Sequence, residues 1–154
     1  MLFGHITQAA IRSLDWIAGK ILTPEQVPQH QRTGRQGEED AYFYLRKKGY
    51  VIVARNFRSP HHRGEIDLIG WDKDVLCFVE VKTRTTRDVK PAAAAVDRKK
   101  RRDIKTVLRD YLSSLPKKHF PEPPQWRFDV ITVHYDQGAA HPTFELFQNP
   151  ALSS

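Results

Sequence analysis

The period of apolar and polar positions changes several times along the chain, and the changes mark out its elements. Residues 1 to 22 place Leu2, Phe3, Ile6, Ala10, Ile11, Leu14, Ile17, Ala18, Ile21 and Leu22 at helical spacing with polar residues between them, which predicts an amphipathic helix. Residues 23 to 36, TPEQVPQHQRTGRQ, are polar with two prolines and read as a linker. Between Gly37 and Gly49 the run EEDAYFYLRKK predicts a short helix with acids in its first turn, bases in its last and an apolar stripe of Ala41, Tyr42 and Leu45. Residues 50 to 58, YVIVARNFR, are β-branched and aromatic enough for a strand, and SPHHR forms the loop that follows. Residues 64 to 84 read as two strands joined at Asp72, Lys73 and Asp74.

Past a polar stretch at 85 to 90, Pro91 opens a helix running to about Leu115, with Val96, Ile104, Val107, Leu108, Tyr111 and Leu115 on one stripe. A proline-rich connection at 116 to 125 leads into the strand WRFDVITVHY, and Asp136, Gln137 and Gly138 turn the chain into a last strand, TFELFQ. A meander of strands followed by a helical crossover implies an α/β fold with a mixed sheet. Residues 1–33 form the N-terminal helix and linker in this reading, and residues 34–150 form one α/β domain, a size that suits a single core.

Residues 64 to 84, GEIDLIGWDKDVLCFVEVKTR, carry acids where a core strand is normally apolar. Alternation puts Glu65 and Asp67 on one face of the first strand, with Ile66 and Leu68 opposite. It puts Glu80 and Lys82 on one face of the second, with Val79 and Val81 opposite. The hairpin makes Asp67 and Glu80 neighbours across the ladder. Upstream, Glu38 precedes Ala41, Tyr42 and Leu45 by three, four and seven residues, so it points inward with that stripe. Lys100 fills a gap in the stripe of the later helix and faces inward as well.

Charges set into an apolar hairpin cost desolvation energy unless they are paired or bind a cation, and two readings of the residue types follow. In one, Lys82 and Arg84 neutralise Glu80, Glu65 and Asp67 in a salt-bridge lattice on a half-exposed sheet. In the other, Asp67, Glu80 and the strand carbonyl of Val81 offer hard oxygen ligands to Mg²⁺, or to Mn²⁺ in its place. Lys82 then orients or deprotonates a water, as phosphodiester hydrolysis requires.

An acid, about a dozen residues with a hairpin turn, then Glu-x-Lys on an apolar strand resembles the signature of the PD-(D/E)XK nucleases, read as Asp67, Glu80 and Lys82. More closely, the chain resembles the YraN family of bacterial proteins, through Gly37-Glu38, ARNFR at 54 to 58, GEIDLI at 64 to 69, FVEVKTR at 78 to 84, Val96 with Lys100, and RFDV at 127 to 130. That resemblance implies a restriction-endonuclease-like mixed sheet flanked by helices, related to Holliday-junction resolvases, to which the amphipathic N-terminal helix is an addition. It implies an Mg²⁺-dependent endonuclease acting on DNA, including branched or structured DNA. Glu38 matches the extra acid many members use, and Glu65 is left with a substrate contact or a place behind the metal ligands. Ile66 stands where the superfamily has its proline, which is not a ligand.

Composition adds partners. Lys and Arg total 25 against 18 Asp and Glu, a formal charge of +7 that favours polyanions. Arg98, Lys99, Arg101, Arg102 and Lys105 form a basic block beside Lys100 that suits phosphate contacts, as does Arg84; its structural alternative is a solvated helix flank. The single Cys77 excludes an internal disulfide and points to no oxidising compartment. Polar residues from His5 to Asp15 interrupt any signal-peptide or membrane-spanning run, so the chain reads as cytoplasmic and without stable membrane insertion. The N-terminal helix suits packing on the domain or a partner better than an interfacial membrane site, having only Arg12 and Lys20 as cations. His61 and His62 face apart and read as loop residues that are solvated or touch phosphate, and Arg127 and Asp129 share a face as a structural pair. A homodimer would give junction cleavage its two active sites. Beside the enzyme stand a nucleic-acid binding protein without turnover, assisting repair, recombination or uptake, and a structural adaptor.

Overall fold

The structure is a computed structural model and describes residues 29–85 and 98–149, with side chains placed over 33–85 and 100–148. The N-terminal helix, Pro91 and Val96 lie outside the described residues. The chain divides into two compact units, Met1–Arg35 and Gln36–Ser154. The order is helix α1 (Gln29–Lys47), strands β1 (Val51–Arg58), β2 (Glu65–Asp72) and β3 (Val75–Thr85), helix α2 (Arg98–Ser114), and strands β4 (Trp126–Tyr135) and β5 (Thr143–Asn149). The strands form one five-stranded sheet in the order β1-β2-β3-β4-β5. Only β3 and β4 are parallel, as the crossover through α2 requires, and the other neighbours are antiparallel. This is the mixed α/β sheet expected, of restriction-endonuclease type.

Helix α2 covers one face. Its Ile104, Val107 and Leu108 bury against Ile66, Ile69, Leu76, Phe78 and Phe128, with Tyr111 set edge-on to Phe57 and Phe78. Each such aliphatic side chain contributes about 1.5–3 kcal/mol by leaving water. From Gln36 onward α1 belongs to the same unit as the sheet and lies on the opposite face, burying Ala41, Tyr42 and Leu45. Tyr44 stacks on Phe144, and Asp40 accepts a hydrogen bond from Tyr135.

The linker and the start of the second helix need correction. Residues 29–36 are helical, so Glu38, Glu39 and Asp40 sit inside the helix instead of in its first turn. Gln and Arg are good helix formers and no proline interrupts them, so a polar run without an apolar stripe is still compatible with helix. Gly37 is a point of close approach and not a boundary: a Cβ there would collide with Thr83 Oγ1 and lie 3.2 Å from Thr83 Cβ.

Strict alternation also fails at two places. Ile66 and Ile69 enter the same cluster though three residues apart, and so do Ala54 and Phe57 on the adjoining strand. Between the latter pair sits Asn56 in the left-handed conformation, φ 49°. A residue at positive φ skips one side chain in the pleat, which resets the faces on either side. The break in alternation on β2 falls between Ile66 and Ile69, past Glu65.

An alanine in a helix interior normally stabilises relative to glycine by about 1 kcal/mol. At Gly37 the sign reverses: Gly37→Ala is expected to destabilise by about 1–3 kcal/mol in denaturant titrations through overpacking against Thr83. Adding Thr83→Ala should recover part of the loss.

Candidate active site at a fork in the sheet

β2 pairs with β1 down to Glu65↔Arg58, and β3 pairs with β4 out to Thr85↔Tyr135, but β2 and β3 pair only as far as Leu68↔Val79. The next rung would join Asp67 to Glu80. There the strands part, and the Asp67 side chain crosses the gap: Oδ2 accepts the Val81 backbone N–H at 2.7 Å. A strand residue's N–H and C=O point to the same side, so the Val81 carbonyl also belongs to the open edge facing Asp67.

Glu80 is 3% exposed at the end of the α2 face. Its Oε1 accepts hydrogen bonds from two ammonium groups, Lys82 at 3.0 Å on its own strand and Lys100 from α2. The inward turn expected of Lys100 is thus realised on Glu80, while Arg101 and Arg102 are exposed. Arg98 and Lys99 lie in the first described turn of α2, with side chains outside the described set. Arg84 is half-buried, donating from Nη1 to the Thr83 carbonyl at 3.2 Å and leaving Nε without a partner.

The groups at the fork are held away from their ordinary protonation behaviour. Burial, reinforced by the charge of Glu80 and less by that of Glu38, pushes the Asp67 carboxyl up to about 8 against the opposing Val81 N–H. Burial lowers Lys82 despite the pull of Glu80, and the neighbouring Lys100 lowers it further. Burial also works against the charge on Lys100, but its hydrogen bond and attraction to Glu80 win and raise it. Two ammonium groups on one oxygen are therefore biased in opposite directions.

Glu38 reaches the same neighbourhood from α1, where its charge acts on Asp67. Its Oε2 accepts a hydrogen bond from Asn56 Nδ2 at 3.0 Å. The same nitrogen lies 3.0 Å from Glu65 Oε1, and Glu65 Oε2 pairs with Arg58 at 2.6 Å. Sequence reasoning passed over Asn56. The signal available was an asparagine inside a β-branched strand, a residue depleted from strands and tolerant of positive φ.

Other charged residues lie elsewhere. Arg127 chelates Asp129 through Nε at 2.8 and 3.0 Å and through Nη2 at 2.9 Å, and reaches Asp72 and the Tyr50 hydroxyl, both at 3.1 Å. This network sits at the hairpin end of β3, where burial outweighs Arg127 and raises Asp129, so the pair braces the sheet and not the fork. Burial pushes Cys77 beside it up to about 12. His62 is tied by Nδ1 to Asp110 of α2 at 2.6 Å, and Ser59 donates to the same oxygen. The loop after β1 is thereby fastened to the helix.

Among the described residues no three His, Cys, Asp or Glu side chains cluster as a ready metal cage. A hard cation that keeps most of its waters needs fewer protein ligands than that. The oxygens able to serve it are those of Asp67 and Glu80 and the Val81 carbonyl, with Glu38 alongside. No helix among the described residues is long and apolar enough to cross a membrane.

Fold and site together define a restriction-endonuclease-like α/β protein with the acid, acid and lysine order at the sheet's fork. A family model described as "Uncharacterised protein family UPF0102" matches residues 37–133, and the chain belongs to that family, the YraN proteins. It is 53% identical over 131 residues to a UPF0102 protein of Koribacter versatilis, covering 85% of each chain. A UPF0102 protein of Solibacter usitatus is 44% identical over 103 residues, covering 65% of this chain and 73% of its own. One from Chlorobium phaeobacteroides is 45% identical over 100 residues, covering 65% and 75%.

The elevation of Asp67 has a defined pH signature. Between its ordinary 3.8 and about 8 the native state holds a proton that the unfolded state has released, so this group's contribution to stability falls as pH rises through that window. In EDTA, Asp67→Asn should flatten the decline in Tm between about pH 5 and about pH 8 and melt several degrees above wild type at the upper end. An unchanged slope would contradict the buried position of the carboxyl.

Proposed function

We propose that this protein is a metal-dependent endonuclease that hydrolyses phosphodiester bonds in DNA, branched or structured DNA included. The observation that carries the reading is the convergence of Asp67, Glu80 and Lys82 at the fork. Clustered acids repel phosphate, so a site built for nucleic acid has use for them only with a cation between. Asp67, Glu80 and the Val81 carbonyl would hold Mg²⁺ or Mn²⁺, and Glu38 would hold the ion or its waters. When bound, that ion supplies Lewis-acid stabilisation of the charge that builds on the phosphate and leaving oxygen.

The chain's own residues do the rest. Lys82, displaced toward the neutral form by burial, is the group suited to orient a water for in-line attack and to accept its proton. Lys100, whose charge Glu80 secures, remains a fixed cation that attracts the phosphodiester and offsets its developing charge. Two titratable groups pushed apart by their surroundings are suited to different tasks. The exposed Arg101 and Arg102 supply a further field for flanking phosphates, weakening with salt. A pair of such sites in a homodimer would serve a junction.

One observation favours a second reading, a nucleic-acid binding protein without turnover. Glu80 is already neutralised by two lysines, so the carboxylate is satisfied without a cation.

Cleavage of duplex, single-stranded, flap and four-way-junction DNA, and of RNA, in Mg²⁺ or Mn²⁺ separates the two. Wild type should cut at least one DNA substrate, and Lys82→Ala should lose about 10²–10⁴-fold in rate while keeping the metal-induced rise in Tm. Asp67→Ala should lose that rise. Equal inactivity of wild type and Lys82→Ala on every substrate would sink the enzymatic reading and leave the binding one.

A further inference from the structure

Asn56 lies inside β1 at φ 49°, where a residue with a side chain is strained and asparagine is among the least penalised. It is exposed, so burial does not account for its conformation. Its Nδ2 is 3.0 Å from Glu38 Oε2 on α1 and 3.0 Å from Glu65 Oε1 on β2. That nitrogen carries two hydrogens, so both bonds are made at once. The reverse orientation would turn a carbonyl oxygen toward two carboxylates, which fixes the amide as it stands.

The two acids are held differently. Glu65 uses both oxygens, Oε1 toward Asn56 and Oε2 toward Arg58, whose Nε and Nη2 lie at 2.7 and 2.6 Å. Glu38 uses only Oε2 among the described residues, and its charge acts on Asp67. One acid is fully engaged in holding the bridge, and the other keeps an oxygen to offer.

We propose that Asn56, anchored through Glu65 and Arg58, is a positioning residue that holds Glu38 beside Asp67 and Glu80 with its Oε1 free for the metal or a metal-bound water, a role that rests on the hydrolytic reading above. The residue is suited by two properties together. Asparagine accepts the left-handed backbone that turns its side chain toward the neighbouring elements, and its primary amide is the short side-chain group that can donate to two carboxylates from one atom. Aspartate would meet the backbone requirement but set a third carboxylate against the other two. Glycine would keep the backbone and lose the bridge. Without it Glu38, on a helix, and Glu65, on a strand, repel each other, and Glu38 has no other described partner to keep it at the fork.

The test uses the full chain and three readouts. In ¹⁵N–¹H spectra of the metal-free protein, Glu38→Gln and Glu65→Gln should each displace the Asn56 side-chain amide resonances. Asn56→Gly should melt close to wild type yet bind Mn²⁺ about tenfold more weakly by calorimetry, the scale usual for residues that orient metal ligands. On a cleaved DNA its kcat should fall with KM nearly unchanged, and Asn56→Asp should lose more in both measurements. In a Glu38→Gln background, Asn56→Gly should add less than about twofold, because both changes remove the same positioned oxygen. Wild-type Mn²⁺ affinity and kcat in Asn56→Gly would overturn the proposal. So would losses that multiply in full on Glu38→Gln, or amide resonances that neither glutamine substitution moves. Displaced resonances in a wild-type protein that binds no Mn²⁺ would support the bridge and overturn the hydrolytic reading alone.

Discussion

A carboxylate 3% exposed is the constraint to which the rest of the domain answers. Glu80 sits at the point where the α2 face of β3 passes from Leu76 and Phe78 to Lys82, and a lone charge there would cost several kcal/mol in lost hydration. It is matched by one ammonium from its own strand and one from α2. The second match docks a helix. Lys100 can reach Glu80 only if α2 lies with Ile104, Val107 and Leu108 down on Phe78 and Phe128, so the apolar contact and the ion pair specify the same placement. Removing both partners would leave Glu80 an uncompensated buried charge, a loss of about 3–5 kcal/mol or more, whereas removing one leaves the other in place.

The parting of β2 from β3 sets that buried charge beside an open edge. Were the ladder continuous, Asp67 and Glu80 would face each other across a closed rung and the Val81 amide would be spent on β2. Instead the Asp67 side chain takes the Val81 N–H and leaves an open edge lined by two carboxylates and a strand carbonyl. The neighbouring strand is irregular as well: β1 shifts register between Ile52 and Ala54 and carries the left-handed Asn56, yet β1 and β2 continue together to Arg58 and Glu65. Irregular strand geometry is where sheets commonly place functional side chains, because it frees backbone and re-aims side chains.

Charge is segregated around this arrangement. The acids of Glu38, Glu65, Asp67 and Glu80 gather at the fork, while the net +7 is carried by bases spread over the rest, including the exposed Arg101 and Arg102. Acids at the centre of a basic protein oppose binding of a polyanion unless they serve a cation or are neutralised by lysine. At Glu80 lysine supplies the neutralisation, and the family model spans residues 37–133, the stretch of chain that builds the fork.

Much of this was legible in the chain. Strands announced themselves through β-branched and aromatic runs, and the hairpin register that brings Asp67 and Glu80 together depends only on a two-residue turn at Lys73 and Asp74. Lys100 was visible as the charged gap in an apolar stripe, and Glu38 as the acid on one. These are properties of local periodicity, which a linear string carries directly. The start of α1 was not legible, because its first described turns have no apolar stripe to mark them and Gly37 imitates a boundary. What makes Gly37 necessary is Thr83, 46 residues away. Only the folded chain decided that the sheet forks at Asp67, that two lysines share one oxygen of Glu80, and that Asn56 joins Glu38 to Glu65. Each depends on where separate elements end up relative to one another. Hydrophobic period determines which face a residue takes, but a hydrogen bond three ångströms long across three elements is determined by their packing.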